Sequence, residues 1–194
     1  MKNKSDIENN LVNAFESGYS NAANSLAQLT KNKIGFRKSD NGFHSLESDF
    51  FSVGNEIIAR GNHRIIITEI FGDVTGKSYL FLSESDYNLF SAGIPESKDP
   101  SINLKEEFLK ELDNILSASV ITRLSNELHL KMYGNVPTLL EKVTARISDI
   151  IYDDFIDESE EVYIDTTFFV VDNNNHVCPF FVWVLDSKTL AKTA

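Results

Sequence analysis

The feature that most constrains this chain is an order of elements that occurs twice: a long helix, a strand hairpin and a short helix. The first round opens at Ser5-Asp6-Ile7-Glu8, where Ser5 and Glu8 can satisfy each other's free amides as a capping box. Apolar Leu11, Phe15, Ala22, Leu26 and Leu29 then recur at helical spacing to about Thr30. Gly18 sits inside that run for a packing or bending reason. Residues 37–55 read as polar and irregular, a short ribbon at most. Residues 64–71 and 78–82 read as the two strands of a hairpin turning through 72–76, with a short helix at 85–92 and a break at Asp99-Pro100.

The second round begins where Asn103 precedes Glu106 by three residues, a cap for a helix running to about Leu130. Gly134-Asn135-Val136-Pro137 leads to an extra amphipathic helix near 139–152, followed by an acidic loop at 153–161. Residues 163–171 and 177–185 form a second hairpin around Asp172-Asn173-Asn174-Asn175, and 187–192 starts another short helix. An offset of about 98 residues sets Ser25-Leu26-Ala27-Gln28 over Arg123-Leu124-Ser125-Asn126. At an offset near 100, Leu82-Ser83-Glu84-Ser85-Asp86 matches Val184-Leu185-Asp186-Ser187-Lys188. Two copies are too few for a solenoid. The expected fold is therefore α/β: one pseudo-two-fold domain over 1–194, two long helices packed on a mainly antiparallel sheet. Its related halves are about 5–100 and 101–194.

At 194 residues the chain is long enough for a substantial core. Eighteen Lys and Arg against 29 Asp and Glu give a net charge of −11, which repels phosphate backbones and anionic headgroups. Nucleic acid and membrane are accordingly not expected as partners. The longest apolar stretches, 167–171 and 179–185, fall well short of the roughly 20 residues of a membrane span. With no apolar run in the first ten residues and a single Cys178, a cytoplasmic location is expected.

Chemistry gathers on the second long helix, at Glu107-Phe108-Leu109-Lys110-Glu111-Leu112-Asp113-Asn114. At about 100° per residue, Glu107, Glu111 and Asn114 share a face within roughly 60°, and Ala118 extends the stripe with a side chain small enough for close approach. Phe108, Leu112, Ile115 and Leu116 point broadly the other way. Glu107 and Glu111 repel modestly, by about 0.2–0.5 kcal/mol, so a basic docking surface would relieve them.

These residues resemble the CheC/CheX/FliY family of chemotaxis phosphatases, whose active helices carry an acidic or serine residue, three spacers, Glu, two spacers and Asn. Glu107-x3-Glu111-x2-Asn114 matches that pattern, with Glu at the leading position and Asp113 where the family has glycine. In the first half, residues 18–29 resemble the family's Gly-x-Gly-x-Ala-Ala-x-x-Leu-Ser-x-Leu segment, and the likeness spans nearly the whole chain. Aligned from Ala22-Ala23, Asn13 falls where the family has Glu and Glu16 where it has Asn. That exchange marks the first site as degenerate, weak or dead.

The resemblance implies a phosphorylated CheY-like receiver domain as substrate, bearing an aspartyl phosphate. In that family the Asn, here Asn114, holds a water in line with phosphorus, and the Glu, here Glu111, pairs with the receiver's lysine. Glu107 and Ala118 would contact the partner. The chain itself would bind no cofactor; a divalent metal such as Mg²⁺ would sit on the receiver. A CheD-like partner and a homodimer are left open. The competing reading is a scaffold like the flagellar switch protein FliM, which keeps the fold without the Glu/Asn pair.

The remaining candidates read as structure. Asp172–Asn175 lacks the central glycine and terminal Glu of a calcium loop, and His44, His63, His129 and His176 show no metal-ligand spacing. The acidic residues of 153–161 read as a solvated loop, and Cys178 as a packed strand residue. Phe180, Phe181 and Trp183 belong to the core of the second hairpin.

Overall fold

The structure, a computed structural model, describes residues 4–46, 63–99, 103–155, 161–171 and 177–192. Among them lie α1 (Lys4–Thr30), β1 (Ile34–Ser45), β2 (His63–Gly72), β3 (Gly76–Leu82), α2 (Glu84–Ser91) and α3 (Leu104–Leu128). These are followed by β4 (Met132–Gly134), β5 (Thr138–Val143), α4 (Ile147–Phe155), β6 (Glu161–Val171), β7 (Val177–Asp186) and α5 (Ser187–Lys192).

Side chains alternate across a strand, so a strand apolar in both registers must be covered on both faces. β7 is such a strand. Phe181, Trp183 and Leu185 join the core beneath α1 and α3, while Phe180, Val182 and Val184 join a second core. β3 divides the same way, Leu80 and Leu82 against Tyr79 and Phe81, and β2 sends Ile66 and Ile70 one way and Ile65 the other. Burying each such side chain is worth about 1.5–3 kcal/mol. The second face is closed by α4, through Ile147, Ile151 and Phe155.

Every strand pair is antiparallel, in the order β1-β6-β7-β3-β2, with β4 and β5 both paired to β2. The order reads the same from the centre outward. β7 and β3 meet in the middle, β6 and β2 flank them, and β1 and β5 lie outside. The two long helices lie on one face of this seven-stranded sheet.

Three expectations are corrected. Residues 34–45 form a strand, not an irregular ribbon. As an edge strand β1 keeps Ile34, Phe36 and Phe43 against the core and presents polar side chains elsewhere, which hides the alternation. Its bulge between Lys38 and Asn41 is held by Thr166, whose Oγ1 accepts from the Asp40 N–H (2.8 Å) and donates to the Asp40 carbonyl (3.0 Å).

The extra helix spans Ile147–Phe155 rather than 139–152, because Thr138–Val143 is a strand on the free side of β2. It lies on the sheet face opposite α3 and does not cover the residues around Asn114. The acidic loop is also shorter than expected. Residues 153–155 close α4, where Asp154 accepts from the Tyr79 hydroxyl (2.6 Å) and pairs with Lys77 (2.8 Å). Residues 156–160 and the turn at 172–176 lie outside the described residues.

Candidate functional site

The α3 helix is started by Asn103, whose Oδ1 accepts from the backbone N–H of Lys105 (3.2 Å) and Glu106 (3.4 Å) while its amide reaches back to the Glu106 carboxylate. It ends at His129 in the left-handed region, φ 58°, with the His129 N–H bonded to the Ser125 carbonyl. Leu109, Leu112, Leu116, Val120 and Leu124 are buried and fix which side faces the sheet. That choice puts Glu107, Glu111, Asn114 and Ala118 together on the exposed side.

Within that stripe, Glu107 is paired with Lys110 at 2.8 Å. The repulsion expected between Glu107 and Glu111 is thus partly relieved inside the chain. Neither the Glu111 carboxylate nor the Asn114 carboxamide bonds to another described residue. Both present their full hydrogen-bonding capacity to solvent. Chemically, they offer one anionic acceptor and one group able both to donate and to accept, with no need for pKa tuning.

The α1 helix meets α3 at Gly18, where an added Cβ would stand 3.0 Å from the Val120 Cα. The packing reason for that glycine is therefore close helix approach. Beside the crossing, Asn21, Asn24 and Gln28 of α1 face Ala118, Ser119 and Thr122 of α3 across a shallow polar groove. With the Asn21 carboxamide turned so that its oxygen faces Arg123, that oxygen accepts from Arg123 Nε (2.7 Å) and Nη2 (3.0 Å) and joins the helices at the groove's edge. Ala118 belongs to both the groove and the stripe, so the groove leads onto Asn114.

The first-half residues are placed differently. Asn13 and Glu16 are both exposed on α1. Glu16, however, lies 3.8 Å from Lys38 of β1, and Lys38 lies 3.4 Å from the buried Asp165 of β6. Tyr19 completes the chain by donating to Asp165 Oδ1 at 2.7 Å. Burial raises the Asp165 carboxyl to about 7 against the opposing pull of Lys38 and Tyr19. Burial next to Asp165 likewise raises the Tyr19 phenol well above its usual range. Glu16 already has a cation from its own chain, whereas Glu111 has none among the described residues.

A second buried carboxyl lies directly behind the exposed pair. Asp113 is fully buried; its Oδ2 accepts from Thr68 Oγ1 of β2 at 2.6 Å and from Ser117 Oγ at 3.4 Å. Ser117 in turn meets Ser78 of β3 at 3.2 Å, and Asp113 Oδ1 has no described partner. Desolvation raises this carboxyl to about 7, against the hydroxyl bonds that lower it.

Neither buried network was anticipated from the sequence. The signal for Asp113 was present: it lies on the wheel's apolar side, roughly 130° from the Glu111/Asn114 stripe. Asp165 was marked only by standing inside a buried strand, beside Thr166 and Thr167.

The histidines and acids do not assemble into a metal centre: among the described residues no group of three His, Cys, Asp or Glu side chains could hold an ion. No described helix is long and apolar enough to cross a membrane.

No family model matches the sequence, and no curated protein matches it. Solved structures do match. FliY of Thermotoga maritima superposes with a TM-score of 0.63 at 13% identity, covering 100% of this chain and 96% of that one. The chemotaxis protein CheX of Desulfovibrio desulfuricans gives 0.55 at 12% identity, covering 93% and 99%. The FliM middle domain of H. pylori gives 0.55 at 9% identity, covering 96% and 98%. The chain has the CheC/CheX/FliY-like fold, which FliM middle domains share.

Proposed function

We propose that this chain is an aspartyl-phosphate phosphatase acting on a phosphorylated CheY-like receiver domain in chemotaxis or two-component signalling, with one working site at Glu111 and Asn114. The observation that carries the reading is the state of that pair. Both groups are exposed on one face of α3, unbonded among the described residues, in the spacing of the chemotaxis phosphatases that the sequence resembles.

In this reading Asn114 holds a water in line with phosphorus, and Glu111 takes the receiver's lysine. Phosphoryl transfer has a loose transition state, so positioning and charge stabilisation carry most of the catalysis. The receiver supplies the divalent metal and the phosphoaspartate; this chain contributes the water and the docking face. Ala118 lets the partner come close, and Glu107 adds negative charge beside a basic docking surface. A soluble receiver partner also fits a cytoplasmic location.

A scaffold of the FliM kind is the second reading. It is favoured by the fold, which matches a FliM middle domain and CheX equally well, and by the loss of the family order at Asn13 and Glu16.

The deciding experiment follows decay of the phosphorylated cognate receiver with wild type, Asn114→Ala and Glu111→Ala, with receiver binding measured in parallel. The phosphatase reading expects wild type to accelerate decay. Asn114→Ala should lose at least about tenfold of that acceleration, or 1.4 kcal/mol, with binding changed less than about threefold. Glu111→Ala should weaken both binding and decay. Binding without acceleration by the parent would establish the scaffold instead.

A further inference from the structure

The residue behind the exposed pair has no role in the reading above. Asp113 stands where the resembled family has glycine, and it is fully buried between α3 and the sheet. It immediately precedes Asn114 in sequence and follows Glu111 by two. One helical turn therefore carries the two exposed groups outward and this carboxyl inward.

Its contacts tie that turn to two strands. Thr68 of β2 donates to Asp113 Oδ2 at 2.6 Å, and Ser117, which shares Oδ2 at 3.4 Å, reaches Ser78 of β3 at 3.2 Å. These are polar contacts in an interface otherwise made of Leu109, Leu112, Leu116 and Ile70. Apolar packing tolerates sliding and rotation, whereas a short directional bond fixes both.

We propose that Asp113 is the positioning residue of the Glu111/Asn114 pair, holding the register of their turn against β2 and β3, and that it does so only while it carries its proton. The proposal rests on the phosphatase reading for its consequence in activity, but not for the anchoring itself.

The physical argument concerns the second oxygen. Asp113 Oδ1 is buried with no described donor. As a neutral acid, Asp113 leaves an uncharged carbonyl oxygen there, and its hydroxyl can donate to Thr68 or Ser117. As a carboxylate, it places charge on a fully buried oxygen that has no partner among the described residues.

The groups facing it are hydroxyls: Thr68 from β2, Ser117 from its own helix and, beyond Ser117, Ser78 from β3. Among the described residues no lysine, arginine or histidine bonds to it, so only the hydroxyl bonds offset the charge, and desolvation outweighs them. Asp165, by contrast, has Lys38 at 3.4 Å. Burial raises the Asp113 carboxyl to about 7, so the proton leaves near neutrality. Ionisation then favours lifting the 110–118 turn toward water, and the exposed pair loses its fixed aim. Phosphoryl transfer that depends on one held water is sensitive to that loss.

The test uses the full chain as wild type and Asp113→Asn, which keeps the size and polar contacts but cannot ionise. Receiver-phosphate decay is measured at about pH 6 and about pH 8.5, on either side of the folded-state titration, with the receiver's own decay subtracted. Wild-type acceleration should fall by about tenfold from the lower to the higher pH, while Asp113→Asn should match wild type at the lower pH and hold within about twofold. An alkaline fall retained by Asp113→Asn, or absent from wild type, would overturn the proposal.

A second arm does not need catalysis: hydrogen exchange of backbone amides, corrected for intrinsic rate. Amides of 110–118 in wild type should lose about tenfold more of their protection at the higher pH than those of α1, and Asp113→Asn should remove that excess. If the parent never accelerates decay yet exchange behaves this way, the anchoring stands and the phosphatase reading falls. If 110–118 stays equally protected at both pH values, the anchoring falls whatever the activity.

Discussion

At the scale of single residues, the two halves differ in who satisfies their charges. Glu16 has Lys38 of its own chain at 3.8 Å; Glu111 has no described cation. A carboxylate already neutralised from within has less to offer a partner's lysine. Asn13→Ala and Glu16→Ala are therefore expected to change receiver-phosphate decay by less than about twofold. Stability should respond instead at Tyr19. Tyr19→Phe removes the 2.7 Å donor to buried Asp165 and should cost about 1–3 kcal/mol in denaturant unfolding. The exposed pair was legible in the sequence because spacing alone places residues on a helix face. The ion pair at Glu16 was not, because Lys38 comes from a strand whose pairing cannot be read from local pattern.

At the scale of elements, the two long helices and the two hairpins were legible; the edges of the sheet and the bounds of α4 were not. Apolar periodicity carries the central strands, β2, β3, β6 and β7, because both their faces are buried. β1 escaped because an edge strand is partly solvated, and β5 because Thr138–Val143 has apolar spacing compatible with a helix until the free side of β2 recruits it. The close α1–α3 crossing yields its own prediction. Gly18→Ala would place a methyl 3.0 Å from the Val120 Cα, which must then shift, so a loss of about 1–3 kcal/mol is expected by chemical denaturation. Its effect on decay should be indirect, through the angle at which α3 presents its face.

At the scale of the whole molecule, Asp113 and Asp165 give the fold a shared pH dependence. Both carboxyls are raised by burial to about 7, against about 3.9 in an unfolded chain. Between about pH 4 and 7 the native state holds more protons than the unfolded state, so stability falls as pH rises through that window. Thermal unfolding should thus begin at a lower temperature near pH 8 than near pH 5.5, and Asp113→Asn should remove part of the difference, leaving the share due to Asp165. The two carboxyls are also built in opposite senses. On the first side α1 supplies the hydroxyl and the sheet the carboxyl; on the second the sheet supplies the hydroxyl and α3 the carboxyl.

The proposed function has one face of α3, at Glu111 and Asn114, hydrolysing a receiver's phosphate while the matching face of α1 does not. The most direct measurement is the half-life of the phosphorylated receiver with equal amounts of wild type, Asn114→Ala, and an Asn13→Ala/Glu16→Ala double variant. The double variant is expected to shorten the half-life as wild type does, within about twofold, and Asn114→Ala to lose at least about tenfold of the acceleration. Full acceleration by Asn114→Ala, or its loss in the double variant alone, would contradict it.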